Sequence, residues 1–123
     1  MSFNPVNWFE IYVDDMARAR RFYETVLERR LSQLPSPEIQ MWAFDATPDQ
    51  PGAGGALVHY DGLKAGGAST IVYFRTADCA VEASRVEAAG GRIHKPKMSI
   101  GPYGFIALAV DTEGNMFGLH SMA

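Results

Sequence analysis

The amino-acid sequence predicts an α+β fold in which two βαβββ modules form a curved, cup-like mixed sheet with helices outside. Three observations predict it. A run of period-two alternation from Val6 to Val13 passes directly into a run of helical period, and three short strand-like runs follow. The same order restarts at Thr70, where Val72 and Phe74 stand 63 residues after Phe9 and Ile11, and the same offset sets Asp78 on Asp15. Either module alone has too little apolar surface for a stable domain, so the two must pack together, which leaves a concave face suited to a small molecule.

In the first strand, VNWFEIYV, Phe9, Ile11 and Val13 form an apolar face and Trp8, Glu10 and Tyr12 the other. Asp14 or Asp15 then caps a helix whose inner face would use Met16, Ala19, Phe22, Tyr23, Val26 and Leu27. Leu31 to Leu34, Gln40 to Phe44 and Ala56 to Tyr60 read as strands, with the turn-rich Thr47 to Gly55 as a loop. Residues 61–68, DGLKAGGA, read as a connector.

The second module opens with the strand TIVYFRT, Thr70 to Thr76. Asp78 caps its helix, whose inner face would use Ala80, Ala83, Val86 and Ala89 before Gly90 and Gly91 end it with a left-handed turn. Arg92 to Lys97, Tyr103 to Val110 and Asn115 to Ser121 supply three more strands, the last two joined by the hairpin turn Asp111 to Gly114. The expected organisation is one domain over residues 1–123, with module one at about 5–60 and module two at about 69–121.

With 123 residues and 47% hydrophobic side chains, the chain suffices for one core. Its 11 basic and 14 acidic side chains are interspersed, so no basic stripe suggests a nucleic-acid partner. No apolar run approaches the roughly 18 residues of a membrane-spanning helix, and the amino terminus lacks a secretory pattern, so a soluble cytoplasmic protein is expected. Cys79 is the only cysteine, which excludes an intrachain disulfide and a thiolate zinc site. It falls in the first turn of the second helix without an identifiable base and reads as structural.

The runs NWFEIYVDDMARARRFYETVL, VEAAGGRI and FIALAVDTEGNMFGLHS together resemble the glyoxalase/bleomycin-resistance/dioxygenase superfamily, also called vicinal oxygen chelate, and in particular its small bacterial glyoxalase-like members. The resemblance implies the paired-module fold and a homodimer. It leaves the chemistry open among lyases, isomerases, epimerases, dioxygenases, transferases and metal-free binders. It also implies a divalent ion, held in the metal enzymes by His or Glu from the first and fourth strands of each module. Those positions carry over to Trp8, a residue near Leu57, Ile71 and Gly118, so the usual metal site is not expected and no cofactor is called for.

Glu10 and His120 stand two residues along from Trp8 and Gly118, and two-residue steps keep both on the cup face. They are the candidate catalytic base and acid. A divalent metal held by displaced ligands Glu10, His59 and His120 is the alternative, and a buried polar pair or a non-catalytic sequestering or interaction module is the plainer one. Trp8, Tyr12, Tyr73, Arg75 and Tyr103, with Met116 and Phe105, complete the cup candidates. Aromatic faces beside one arginine suit a flat ligand with an anionic group, while ordinary sheet packing would gather the same aromatics. Lys95, Lys97 and the Ile100-Gly101-Pro102 segment could border the mouth. Gly52, Gly54 and Gly55 do not form a phosphate loop, since a strand follows, and His94 reads as an edge-strand residue.

Overall fold

The computed structural model describes residues 4–47, 49, 52–67 and 69–123. The chain is α+β and contains the expected repeat. The first module is β1 (Val6–Tyr12), α1 (Met16–Leu27), β2 (Ser32–Leu34), β3 (Gln40–Ala43) and β4 (Gly54–His59). The second is β5 (Thr70–Arg75), α2 (Cys79–Ala83), β6 (Arg92–Ser99), a 3-10 turn at Gly101–Tyr103, β7 (Phe105–Val110) and β8 (Met116–Ser121). Close packing divides the chain into two compact units, one spanning Trp8–Thr70 and the other Ile71–Ala123 with the residues before Trp8. Among the described residues no helix is long and apolar enough to cross a membrane.

In the first unit β1 runs parallel to β4, β4 antiparallel to β3, and β3 antiparallel to β2. Gly54 and Gly55 belong to β4 rather than to the loop expected from Thr47 to Gly55, three of whose other residues lie outside the described residues. Val13, Met16, Leu31 and Leu57 form the core on one face, with Ile11, Ala19, Tyr23, Trp42 and Phe44 against them. Asp15 caps α1 by accepting from the Arg18 amide at 3.0 Å, and that bond, aided by the Arg18 and Arg21 charges, holds its carboxyl below the ordinary range.

The inner face of α1 is narrower than expected. Met16, Ala19 and Tyr23, at steps of three and four, pack on the core, whereas Phe22, Val26 and Leu27 are 59%, 61% and 49% exposed. Phe22 sits one residue out of register with that stripe, Val26 continues it three residues after Tyr23 but lies in the last turn, and Leu27 is the last residue before Glu28 turns left-handed at φ 52°.

The second unit repeats the pairing: β5 is parallel to β8, β8 antiparallel to β7, and β7 antiparallel to β6. Cys79, Ala107 and Leu119 form its core with Phe74, Ala83, Phe105 and Phe117. Regular α2 stops at Ala83 rather than running on to Ala89. Beyond it the amides of Arg85 and Val86 bond back three residues, to Glu82 and Ala83, and the Ser84 hydroxyl takes the Val81 carbonyl. The expected left-handed glycine is Gly90, at φ 104°. Tyr103 is likewise in the 3-10 turn rather than in β7. The hairpin forms as expected, with Asp111 accepting from the amides of Glu113 and Asn115 and Gly114 at φ 85°.

Candidate functional site

Alternation along β1 places Trp8, Glu10 and Tyr12 on the face opposite the α1 core. Glu10 is only 9% exposed. Its carboxylate is gripped from both sides along its own strand, the Trp8 indole Nε1 donating to Oε2 at 3.1 Å and the Tyr12 hydroxyl donating to Oε1 at 2.6 Å. A buried carboxylate needs such donors, and Trp8 and Tyr12 stand at the nearest intrastrand positions, two before and two after, that share its face. Glu10 pairs in register with Ala56, so Ala56 and Val58 lie beside it on β4.

That register settles the position of His59. It belongs to the Leu57 side of β4, away from the Glu10 row, where its Nδ1 meets the Val13 carbonyl at 2.9 Å and its Nε2 lies 3.5 Å from Asp61. His59 of the alternative ligand set thus stands on the opposite face of β4 from the row that pairs with Glu10. Among the described residues no group of three or more His, Cys, Asp or Glu side chains is gathered as a metal would require.

The corresponding face of the second unit carries Tyr73 and Arg75 of β5 beside Gly118 and His120 of β8. Tyr73 is buried at 5% exposure because its ring lies over Gly118, where an added Cβ would stand 2.2 Å from Cδ2. Arg75 is exposed, and its backbone amide bonds to the Pro5 carbonyl. His120 has both ring nitrogens engaged: Nε2 lies 2.6 Å from the Tyr103 carbonyl oxygen and Nδ1 lies 3.3 Å from Asn7 Nδ2. Since a carbonyl only accepts, Nε2 carries the proton and Nδ1 accepts from the amide. Tyr103 thus meets His120 through its backbone, with its residue half exposed.

Glu10 and His120 belong to different units, and each has partners in its own. Asn7 had no signal of its own in the sequence, being one polar residue within the first strand. Lys97 is engaged within its own unit: its ammonium bonds Asp78 at 2.8 Å and the Ala123 carbonyl at 3.1 Å, and lies 4.7 Å from the Phe105 ring centroid. The Lys97 bond is the main reason the Asp78 carboxyl is held below its ordinary range, with the capped Ala80 amide second. Cys79 is buried, its amide bonded to Ser121 Oγ at 2.9 Å, and His94 is exposed on the terminal strand β6.

The family model of the Glyoxalase/Bleomycin resistance protein/Dioxygenase superfamily matches residues 6–119. The chain belongs to this superfamily. Among solved structures, methylmalonyl-CoA epimerase from Mycobacterium tuberculosis aligns at TM-score 0.68 and 16% identity, covering 100% of this chain and 93% of that one. A single-residue variant of the Streptomyces coelicolor methylmalonyl-CoA epimerase, in complex with 2-nitronate-propionyl-CoA, aligns at TM-score 0.65 and 18% identity over 99% of both chains. An uncharacterized protein from Methanosarcina mazei aligns at 0.60 and 15%, covering 96% of this chain and 94% of its own. These identities carry the fold alone. No curated protein matches the chain.

Superfamily membership implies a metal, and the strand register tests whether the residues fit one. Glu10 and Tyr73 are equivalent at the repeat offset, so their pairs Ala56 and Gly118 are equivalent, and the fourth position is Ala56 rather than Leu57. Trp8, Ala56, Ile71 and Gly118 do not fit an ion. An indole N–H only donates, and here it is directed at Glu10; the other three side chains have no donor atom. At Gly118 the place a ligand side chain would take is filled by the Tyr73 ring.

Proposed function

We propose that this superfamily member binds a small organic molecule over the Trp8–Glu10–Tyr12 face and uses Glu10, without a metal ion, as the base in a proton transfer. The observation that carries the reading is the buried Glu10 carboxylate clasped by the Trp8 indole and the Tyr12 hydroxyl. The two donors fix both oxygens in place, and a carboxylate oxygen can still accept a further proton or hydrogen bond. The fitting reaction class is abstraction of a proton next to a carbonyl group, the chemistry an epimerase performs. Methylmalonyl-CoA epimerases share the fold, which supports that class without naming the substrate. His120, with its proton on Nε2, is the hydrogen-bond donor proposed for the second-module face.

Trp8 supplies the test. The other tryptophan, Trp42, is on the α1 side under the Arg20 guanidinium, so a Trp42→Phe variant leaves Trp8 as the only reporter. Carbonyl compounds with an acidic neighbouring C–H are expected to change Trp8 fluorescence saturably, and loss of Tyr12 to Phe should alter that response. A panel of such acids, ketones and thioesters that leaves Trp8 unmoved would sink the reading.

A further inference from the structure

We propose that the β5/β8 face of the second unit is a subsite for a carboxylate or similar anionic oxygen group, with Arg75 supplying charge and His120 the hydrogen bond. The inference rests on the small-molecule reading above and names the chemical class of that molecule. Three observations carry it.

First, Arg75 and His120 are register partners on adjacent parallel strands, so their side chains leave the sheet on the same face. Second, Arg75 is exposed and joins no ion pair among the described residues, whereas Lys97 and Arg20 are each committed to a carboxylate. A guanidinium in that position offers its fork to an incoming anion. Third, the His120 Nε2–H already meets an oxygen, the Tyr103 carbonyl at 2.6 Å, which shows the geometry that position selects. Tyr103 closes a short 3-10 turn between Gly101 at φ 72° and Gly104 at φ 102°, so the segment that brings this carbonyl has a permissive residue at each end. An anionic ligand oxygen would take its place.

Asn7 is the positioning residue of this subsite. A neutral imidazole has one donor and one acceptor nitrogen, and the Asn7 amide N–H at Nδ1 selects the tautomer with its proton on Nε2. The Asn7 Oδ1 atom is buried and has no partner among the described residues, so the amide is held in this orientation by His120. Without Asn7, Nδ1 and Nε2 would compete for the proton, and the donor facing the ligand would be lost part of the time.

The test uses the full chain labelled uniformly with nitrogen-15, titrated at pH 8 with sodium benzoate and, as the uncharged control, benzamide. His120 is expected to show the Nε2–H tautomer before titration, and Asn7→Leu should give a mixture of tautomers while the β8 amide pattern is kept. Benzoate should shift the Arg75 and His120 side-chain signals saturably, about tenfold more tightly than benzamide, and Arg75→Gln should remove about that tenfold preference. Equal binding of the two probes, an unchanged benzoate affinity in Arg75→Gln, or the same shift at exposed Arg92 as at Arg75 would overturn the proposal. The indole signal of Trp8 separates it from the broader reading: response at Trp8 without response at Arg75 and His120 refutes the subsite alone. Response at Arg75 and His120 without Trp8 supports the subsite and counts against the first-module site.

Discussion

Gly118→Ala is expected to destabilise the protein by about 3 kcal/mol, since its methyl group would enter the ring of Tyr73 in a place with no slack. The Tyr73 ring is buried against the strand it covers, so relief requires moving either the ring or β8. The effect should therefore depend on Tyr73. In a Tyr73→Ala background, itself costly through the lost aromatic burial, the Gly118→Ala change should be nearly neutral, a coupling of about 3 kcal/mol in a double-mutant cycle. Chemical denaturation of the four proteins measures this. Additive losses would show that Gly118 is needed for its backbone alone. The same cycle bears on function, because the resemblance sets Gly118 at a ligand position of the metal enzymes, and the ring over it explains why a glutamate cannot be placed there cheaply.

Glu10→Gln is expected to lower turnover by about 10² to 10⁴-fold for any ligand whose proton the protein exchanges, with affinity changed by less than about threefold. The substitution is nearly isosteric. The new amide can turn its carbonyl to the Trp8 N–H and its NH₂ to the Tyr12 hydroxyl, which can accept, so both neighbours keep a partner. What disappears is the proton acceptor. Deuterium uptake from D₂O next to the ligand carbonyl, followed by proton NMR, reads the rate, and Trp8 fluorescence reads binding in the same sample. A Glu10→Gln protein that exchanges at the parent rate would remove Glu10 from the chemistry. Binding with no exchange in the parent itself would make the chain a sequestering protein.

The paired modules were legible because alternation and helical period are local properties, and the offset between Phe9 and Val72 needs no knowledge of contacts. Glu10 was legible for the same reason: its face follows from Phe9 and Ile11. Strand partners were not. The loop before β4 has a length that leaves pairing open, so His59 could be drawn beside Glu10 until the Glu10–Ala56 register put it on the other face. The His120 partners come from Asn7, 113 residues away, and from a backbone carbonyl, neither of which has a sequence pattern. Phe22 misled because an apolar residue one step from a helical stripe looks like part of it, and Val26 because it continues the spacing of the stripe; only packing shows that the buried stripe ends at Tyr23. The short α2 escaped notice because back-bonding by Ser84 and three-residue hydrogen bonds, not proline or glycine, end its regular turn.

Metal independence of the Glu10 face is the claim on which the functional reading stands, and one titration tests it directly. Ligand binding is followed by Trp8 fluorescence in the Trp42→Phe protein after exhaustive chelation, and repeated with an equivalent of Zn²⁺, Ni²⁺ or Fe²⁺ restored. The same affinity is expected in every sample, because Trp8, Ala56, Ile71 and Gly118 leave an ion without a donor set. Loss of binding on chelation, with recovery of tenfold or more on adding one of these ions, would contradict it.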